Sequence, residues 1–442
     1  MILRFIAENF ASFKDAVEFN TFPSSKSPSH ENHKISCGHA TALRLSAIYG
    51  ANGAGKSNLI DALGTLGTLV FRGSLNGYNL SSIKFKFNPA YADKPSGLAI
   101  EYYTKGYIFY YHIEFSGQEV LLEELLLSLK QRDVELFRRK GLSISINNKF
   151  SAMKVNNSFI DGLTRLIRPD MLVLPFLGNY YPVEFPIITD AYRWFVDTLR
   201  LVQPNSSSGT VPHLMDVNVM FNKMVNDTIP ELKTGIDRLI VKKEVVNEND
   251  ENIDSRISNA ILKAKSMPGM PQIVLDRNSG DILNIVFDMN LNAVYLKRIV
   301  AIHSQNGVDV EMPLRNESDG TRRLIEYMPV FYAVMLNDGV YVVDEIERSI
   351  HPIPIKSIIS KISESTSAKG QLIFTTHESG LLDQNIFRPD EIWFAQKDSE
   401  QATQLYPLSD FNIHHTANIE NGYLNGRYGG IPFLSNLKDL HW

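Results

Sequence analysis

The sequence predicts an α/β protein with a mostly parallel core sheet whose two halves are separated by an insertion. Three observations predict it. An apolar run at 43–49 leads into a glycine loop and then a helical pattern at 56–70. Two further short apolar runs, 340–343 and 371–375, each end in polar or charged residues. Strand-like and helix-like patterns alternate at both ends of the chain, as strands joined by crossover helices do. The 442 residues are enough for two or three structural units.

Taken in order, residues 1–20 space Leu3, Phe5, Phe10, Phe13, Val17 and Phe19 as two short strands. Residues 23–41, rich in Pro, Ser, His and Asn, read as a loop. After the glycine loop and its helix, residues 83–147 are β-rich. Ile108, Tyr110, His112 and Phe115 roughly alternate with Phe109, Tyr111 and Ile113. Leu125, Leu127 and Leu129 share a strand face, and 136–146 supplies two more strands. Beyond residue 150 the character changes. Helical patterns occupy 189–201 and 217–225, with turn-rich residues at 204–209 and an acidic, polar stretch at 247–254. Strand alternation returns at 273–315, followed by a helix at 321–336, a strand at 340–343, a helix at 355–362 and a strand at 371–375. The expected organisation is one head built from 1–150 and 271–442, with a mainly helical insert at 151–270. No internal repeat or sustained heptad pattern occurs, so no long coiled-coil arm is expected.

Composition excludes some classes. Lysine and arginine total 44 against 49 acidic residues, a net charge of −5, so the chain does not coat nucleic acid through overall charge. A hydrophobic fraction of 44% with 21% charged residues excludes a disordered chain. Cys37 is the single cysteine, so no intrachain disulfide can form. No run approaches the roughly 18 apolar residues of a membrane span. The start lacks the basic region and apolar core of a leader. The expectation is a cytoplasmic protein without a membrane partner.

The glycine loop carries the first chemistry. Gly50-Ala51-Asn52-Gly53-Ala54-Gly55-Lys56-Ser57 fits the pattern Gly, four residues, Gly-Lys-Ser/Thr. Glycines let backbone N–H groups converge on phosphates, and the following helix points its positive end at the same anion. Lys56 reaches the β/γ phosphate oxygens, and the Ser57 hydroxyl holds Mg²⁺. The candidate nucleotide contacts are Gly50, Asn52, Gly53, Gly55, Lys56, Ser57 and the following Asn58. The run Val340-Tyr341-Val342-Val343-Asp344-Glu345 is an apolar strand ending in two acids. At the C-terminal edge of a sheet they face the crevice where ligands sit. Asp344 orders the Mg²⁺ shell, and Glu345 positions or deprotonates the attacking water. Gln371-Leu372-Ile373-Phe374-Thr375-Thr376-His377 repeats the design, and His377 lies 32 residues after Glu345 (377 − 345). It is placed to hydrogen-bond the γ-phosphate or the water. Ser318 and Gly320 open a helix, which suits an anion site and equally a simple N-cap.

In this order the elements resemble the ABC-type ATPase heads of the structural-maintenance and DNA-repair superfamily. Gly50–Ser57 looks like Walker A, Val340–Glu345 like Walker B, and Ser318-Asp319-Gly320 like the ABC signature. Ser349-Ile350-His351-Pro352 sits where the D-loop belongs, and His377 matches the switch histidine. The chain further resembles the bacterial AAA15/AAA21-type ATPases of abortive-infection, Septu, PARIS and retron defence systems. Three segments carry that resemblance: Phe10-Ala11-Ser12-Phe13-Lys14, Asp344-Glu345-Ile346-Glu347-Arg348-Ser349-Ile350-His351-Pro352, and the tail Gly422-Tyr423-Leu424-Asn425-Gly426-Arg427-Tyr428-Gly429-Gly430-Ile431-Pro432. It covers roughly 1–150 and 271–442. Two positions depart from the pattern. The signature reads Ser-Asp-Gly-Thr where transporter heads carry Ser-Gly-Gly-Gln. No glutamine occurs between Ser57 and Gln118, so the usual Q-loop glutamine is absent or displaced, and another residue, such as Asn88, would link Mg²⁺ to the insert.

The resemblance implies an ABC/SMC-like P-loop ATPase head: a mixed sheet, an antiparallel β subdomain and the helical insert. It implies ATP and Mg²⁺ as cofactors, and a homodimer or higher homo-oligomer with ATP at head–head interfaces. Ser318 and Gly320 of one head then face the nucleotide of another. It further implies an antiviral switch that controls a separate effector, a nuclease, in response to a phage protein or nucleic acid. The alternative is a DNA-repair or recombination head with DNA-stimulated hydrolysis.

Other clusters are set aside. His30, His33, Cys37 and His39 have donor types that suit Zn²⁺ but irregular spacing. His414-His415 with Asn418 faintly suggests a histidine–asparagine nuclease, but the next histidine is His441. Arg138-Arg139-Lys140 and Lys242-Lys243 read as solvated surface.

Overall fold

Strands far apart in sequence pair in parallel, and that pairing places the motifs. The structure, a computed structural model, describes residues 1–205, 209–247, 253–276, 280–414 and 417–431. Parts of the expected breaks at 204–209 and 247–254, together with His415, Pro432 and His441, lie outside the described residues.

In chain order, β1 (Ile2–Glu8), β2 (Val17–Asn20), β3 (Lys34–Cys37), β4 (Ala40–Leu43) and β5 (Leu45–Tyr49) precede α1 (Lys56–Arg72). Then come β6 (Ser96–Thr104), β7 (Tyr107–Ser116), β8 (Glu119–Leu129), β9 (Arg132–Lys140) and β10 (Ser143–Ile146). Next are α2 (Asn157–Leu166), α3 (Val173–Tyr180), α4 (Pro186–Arg193) and β11 (Leu199–Val202). The middle holds α5 (Val211–Val217), α6 (Val219–Thr228), β12 (Arg238–Val245), α7 (Ser255–Ser266), β13 (Gln272–Leu275), β14 (Ile282–Asp288), β15 (Ala293–Gln305) and β16 (Val308–Pro313). The last part runs through α8 (Asp319–Leu336), β17 (Val340–Val343), α9 (Pro352–Glu364), β18 (Gln371–Thr375), β19 (Ile392–Lys397), β20 (Thr403–Pro407) and α10 (Ile419–Leu424).

The chain forms two compact units. The first comprises Met1–Pro204, Val334–Ile346 and Ile359–Trp442, and the second Asn205–Ala333 and Glu347–Ile358. The division falls after Pro204 rather than after residue 150, because 151–204 packs with the first unit. In the first unit a six-stranded sheet has the order β11-β17-β18-β5-β19-β20. The first five strands are parallel, and β20 is antiparallel. All five residues of β5 and all five of β18 are buried, as a parallel sheet covered on both faces requires. α1 buries Leu59, Leu63, Leu66 and Val70 in the core.

A seven-stranded antiparallel sheet, β10-β9-β8-β7-β6-β1-β2, buries Phe109, Tyr111, Ile113, Leu125 and Leu127 in the same core. Leu129, expected on that face, is 39% exposed at the strand end. Glu123 is fully buried and accepts from Val173 N (2.7 Å), Leu174 N (2.9 Å) and the Tyr111 hydroxyl (2.9 Å). Arg139 is buried too. It donates to the carbonyls of Gly141, Arg168, Pro169 and Met171, so it clamps a loop and is not surface charge. On the outer face, Arg138 pairs with Glu124 (3.3 Å) and Arg4 with Glu101 (3.1 Å).

Several expectations change locally. The helix expected at 189–201 stops at Arg193. One π-helical turn follows (Trp194–Thr198), and Leu199–Val202 becomes a strand. Its apolar residues gain a parallel neighbour in β17, which outweighs helical periodicity. The helix expected at 217–225 breaks at Asn218, whose side chain caps α6 through Phe221 N (2.9 Å). The loop expected at 23–41 contains the β3–β4 hairpin.

The second unit carries a sheet of its own, β12-β15-β14-β13, with β16 also on β15. α7 covers it through Ala260, Ile261 and Ala264 against Val274, Leu283 and Ile285. Lys242 pairs with Glu311 (2.8 Å) and Lys243 with Asp216 (3.4 Å).

Candidate functional site

Four parallel strands end at one edge of the six-stranded sheet. Gly50 follows β5, Asp344 follows β17, Thr376 follows β18 and Gln203 follows β11. This is the edge at which open α/β sheets bind ligands.

The loop from Gly50 to Gly55 is shaped by close packing. A Cβ on Gly50 would lie 2.5 Å from the Ala395 carbonyl oxygen. Gly55 has φ +107°, and a Cβ there would lie 2.2 Å from Thr403 Oγ1. Thr403 Oγ1 is within hydrogen-bonding distance of the Ala54 carbonyl and Ser12 Oγ, 2.7 Å each. Asn58 donates to Ser12 Oγ (2.7 Å), so this candidate nucleotide contact braces the loop against the N-terminal strand pair. Asn52 and Gly53 are exposed at the loop tip. The tail supports the loop from the other side. Tyr423 and Tyr428 stack on Phe394 of β19, and a Cβ on Gly430 would lie 3.7 Å from the Gly50 Cα.

Lys56 opens α1, where helix-end N–H groups and the dipole favour an anion. Its buried ammonium donates to the carbonyls of Gly50 (2.8 Å) and Ala51 (3.2 Å) and lies 3.4 Å from His377 Nδ1. The next residue, Ser57, donates from Oγ to Asp344 Oδ1 at 3.2 Å. Asp344 is only 3% exposed. A hydroxyl and a carboxylate are a hard oxygen pair that suits Mg²⁺, which keeps most of its shell for water and phosphate. No group of three His, Cys, Asp or Glu side chains that could hold a metal ion gathers among the described residues.

Thr375 ties the two acids together. Its buried hydroxyl donates to Asp344 Oδ1 and accepts from Glu345 N (2.8 Å). Glu345 has φ +51°, a left-handed conformation that a non-glycine residue holds at a cost. Thr375 occupies the last β18 position, two residues before His377.

The sequence reading missed Gln203. Asp344 N donates to the Val202 carbonyl (3.0 Å), so Gln203 follows directly beside the acidic pair. Its amide donates to Asp61 Oδ1 at 3.4 Å. Asn88, the expected Q-loop substitute, instead uses its side chain to cap a short turn through Ala90 N (3.0 Å). Asp61 lies one turn beyond Ser57 on α1. Desolvation holds its carboxyl above the ordinary range, against the Gln203 hydrogen bond and with the Asp344 charge adding to the rise. Asn58, Asp61 and Gln203 all line a cavity of about 720 Å³ along α1.

In the second unit, Ser318 Oγ accepts from Thr321 N (3.1 Å), so it caps α8. A Cβ on Gly320 would lie 2.4 Å from the Ser349 carbonyl, which fixes glycine there by packing. His303 bonds Glu317, the residue before Ser318, at 2.8 Å.

The candidate zinc donors are used separately. His33 bonds Glu391 (2.8 Å) in the interior, His30 bonds the Gln384 carbonyl (2.8 Å), and Cys37 is buried with Met1, Leu3 and Ala42.

A parallel sheet with a phosphate loop after one strand, an acidic pair after its second neighbour, and between them an apolar strand that leads into polar residues is the P-loop ATPase fold. The chain belongs to the AAA_21 family, described as "AAA domain, putative AbiEii toxin, Type IV TA system", which matches residues 45–383, more than half of its length. No curated protein matches it. Among solved structures it is similar to the SMC head domain from Thermotoga maritima, at 13% identity and a TM-score of 0.38 over 93% of this chain and 99% of that one. It is also similar to an SMC head bound to the C-winged helix domain of ScpA, at 13% identity and a TM-score of 0.40 over 92% and 97%. An SMC head with an extended coiled coil, bound to the C-terminal domain of ScpA derived from Pyrococcus furiosus, matches at 13% and 0.37 over 92% and 96%. No helix among the described residues is long and apolar enough to cross a membrane.

Proposed function

We propose that this protein binds and hydrolyses Mg²⁺–ATP at the C-terminal edge of its parallel sheet and uses that cycle as a switch in bacterial antiviral defence. The convergence of Lys56, the Ser57–Asp344 pair, the Thr375-held Glu345 and His377 supports this reading most strongly. The loop N–H groups from Gly50 to Gly55 take the phosphates, with Asn52 and Gly53 at the accessible tip. Lys56 exchanges its two loop carbonyls for β/γ oxygens. Ser57 and Asp344, with Gln203 beside them, would hold Mg²⁺, which would supply charge neutralisation to the phosphates. Glu345 orients the attacking water and accepts its proton. The water oxygen bonds the γ-phosphorus as the bond to the β–γ bridging oxygen breaks, and ADP leaves with that oxygen. His377 hydrogen-bonds the γ-phosphate beside Lys56.

Ser318 and Gly320 face the ATP of a second copy, so the active unit is a homodimer or a higher homo-oligomer. Nucleotide-driven closure and opening then act on a separate effector of the nuclease class, in response to a phage protein or nucleic acid. The family description, which names a toxin of a toxin–antitoxin system, supports the defence role. The DNA-repair alternative needs a basic surface. Arg4 and Arg138 on the outer face of the antiparallel sheet are engaged by glutamates, which weighs against it.

The test is phosphate release by the full chain with and without duplex DNA, beside Lys56→Ala. ATP hydrolysis indifferent to DNA and lost in Lys56→Ala is expected. Hydrolysis strongly stimulated by DNA, with a steep salt dependence, would replace this reading with the repair alternative.

A further inference from the structure

Beyond the end that meets the phosphate loop, α1 has a polar side. Leu59, Leu63, Leu66 and Val70 are buried in the core. Asn58, Asp61, Gly64, Thr65 and Thr68, spaced three and four apart, share a different face and line the cavity of about 720 Å³. From Asn58 to Thr68 that face runs about 15 Å at 1.5 Å per residue. The cavity lies wholly within the first unit. Phosphates on the Gly50–Gly55 loop sit beyond the N-terminal end of α1, whereas the cavity runs alongside the helix.

Residues 84–87, Lys-Phe-Lys-Phe, supply another wall. Phe85 is buried, and its N–H donates to Asn9 Oδ1 at 3.1 Å, which fixes the segment. Phe87 packs on Phe85 with ring centroids 5.8 Å apart, yet stays 62% exposed. The Lys397 ammonium lies 5.5 Å from the Phe87 ring centroid. Tyr78 also lines the cavity, and the Arg72 guanidinium lies 5.1 Å from its ring centroid. Three lysines line the cavity against one carboxylate, Asp61, among the described residues. Lys84 donates to the Ala92 carbonyl at 2.7 Å, so contact with an anion falls to Lys86 and Lys397. Aromatic rings interleaved with cations along a groove suit a single strand, whose bases stack while its phosphates meet the cations. A duplex keeps its base faces covered. The length of the groove favours a strand over one nucleotide.

We propose that this groove binds single-stranded nucleic acid, with a base stacked on Phe87 and backbone phosphates at Lys86 and Lys397. The proposal names the chemistry of the trigger in the defence reading and rests on that reading only for that role. Binding of the strand does not itself require ATP.

The experiment measures fluorescence anisotropy of labelled oligothymidylate and oligouridylate with the full chain at several salt concentrations. Phe87 and Lys86 are exposed, so their substitution leaves the core intact. Phe87→Ala should weaken binding about 5- to 150-fold, the loss of one stacked base, and Phe87→Trp should restore it. Replacing Lys86 and Lys397 together with alanine should lower the slope of log affinity against log salt by about 1.4, for two lost phosphate contacts. Binding of neither strand, or binding that these variants leave unchanged, would overturn the proposal. So would equal binding of a duplex, or displacement of the strand by AMP at the same nucleotide concentration, which would mark a mononucleotide site. Lys56→Ala separates this site from the phosphate loop. It should keep the strand and lose ATP hydrolysis, and loss of the strand would place it on the loop and overturn the groove. Strand binding by a wild-type chain that hydrolyses no ATP would fail the nucleotide reading alone.

Discussion

Replacing Thr375 with valine tests the candidate site at its most constrained point. The side chain is 0% exposed, and valine reproduces its shape, so the change removes a hydroxyl and little else. Two hydrogen bonds go with it: the one donated to the Asp344 carboxylate and the one accepted from Glu345 N. A bond to a charged group contributes about 1.5–3 kcal/mol and a neutral one about 0.5–1.5, so the combined loss is roughly 2–4 kcal/mol. Part appears as lower stability, because Glu345 keeps its φ of +51° only while its surroundings hold it there. If half is lost from the transition state, kcat falls roughly 5- to 30-fold at about 1.4 kcal/mol per tenfold. The assay is steady-state phosphate release, with ATP binding and a melting curve measured on the same preparations. Binding should persist, kcat should fall, and Thr375→Ser should stay near wild type. A folded Thr375→Val protein with wild-type kcat would refute the reasoning, because the acids would not depend on that hydroxyl.

Glu345→Gln should keep ATP binding and reduce turnover by about 10²–10⁴-fold, and ATP should then shift the chain to a larger species in size-exclusion chromatography. Gly55→Ala should abolish nucleotide binding and lower the melting temperature, because the new Cβ would meet Thr403 Oγ1 at 2.2 Å in a left-handed backbone; normal binding would contradict the loop packing. The hydrogen bond to Glu317 is the main cause that raises the His303 pKa above its ordinary value. A raised folded value gives stability that is complete below about pH 6.5 and is lost as pH rises through the folded pKa. The melting difference between wild type and His303→Gln should therefore shrink from about pH 6 to about pH 9, and a difference that grows with pH would reverse the assignment.

Much of the fold was legible because its signals are local. The apolar runs at β5, β17 and β18 are short, continuous and bounded by glycine or acidic residues, as strands of a buried parallel sheet must be. The loop from Gly50 to Ser57 is marked by the spacing of Gly50 and Gly55 followed directly by Lys56 and Ser57. Errors arose where tertiary pairing overrode a local pattern. Leu199–Val202 has apolar residues that continue the helical spacing of α4, and only its pairing with β17 makes it a strand. Gln203 directly follows that strand, and the side chain of Asn88 caps a short turn. Arg139 sits in a basic triplet and reads as surface, yet the loop carbonyls at 168–171 reach it only in the folded state.

The sequence by itself marked the candidate phosphate loop, the acidic pair and the strands β5, β17 and β18 that carry them, because each depends on residues adjacent in the chain. Tertiary structure alone decided which side chains serve those motifs. Thr375 meets Asp344 across 31 positions of sequence, Ser57 meets the same carboxylate across 287, and Gln203 meets Asp61 across 142. Contacts of that range leave no periodic trace, since they are fixed by strand register and by which ends of a parallel sheet share an edge.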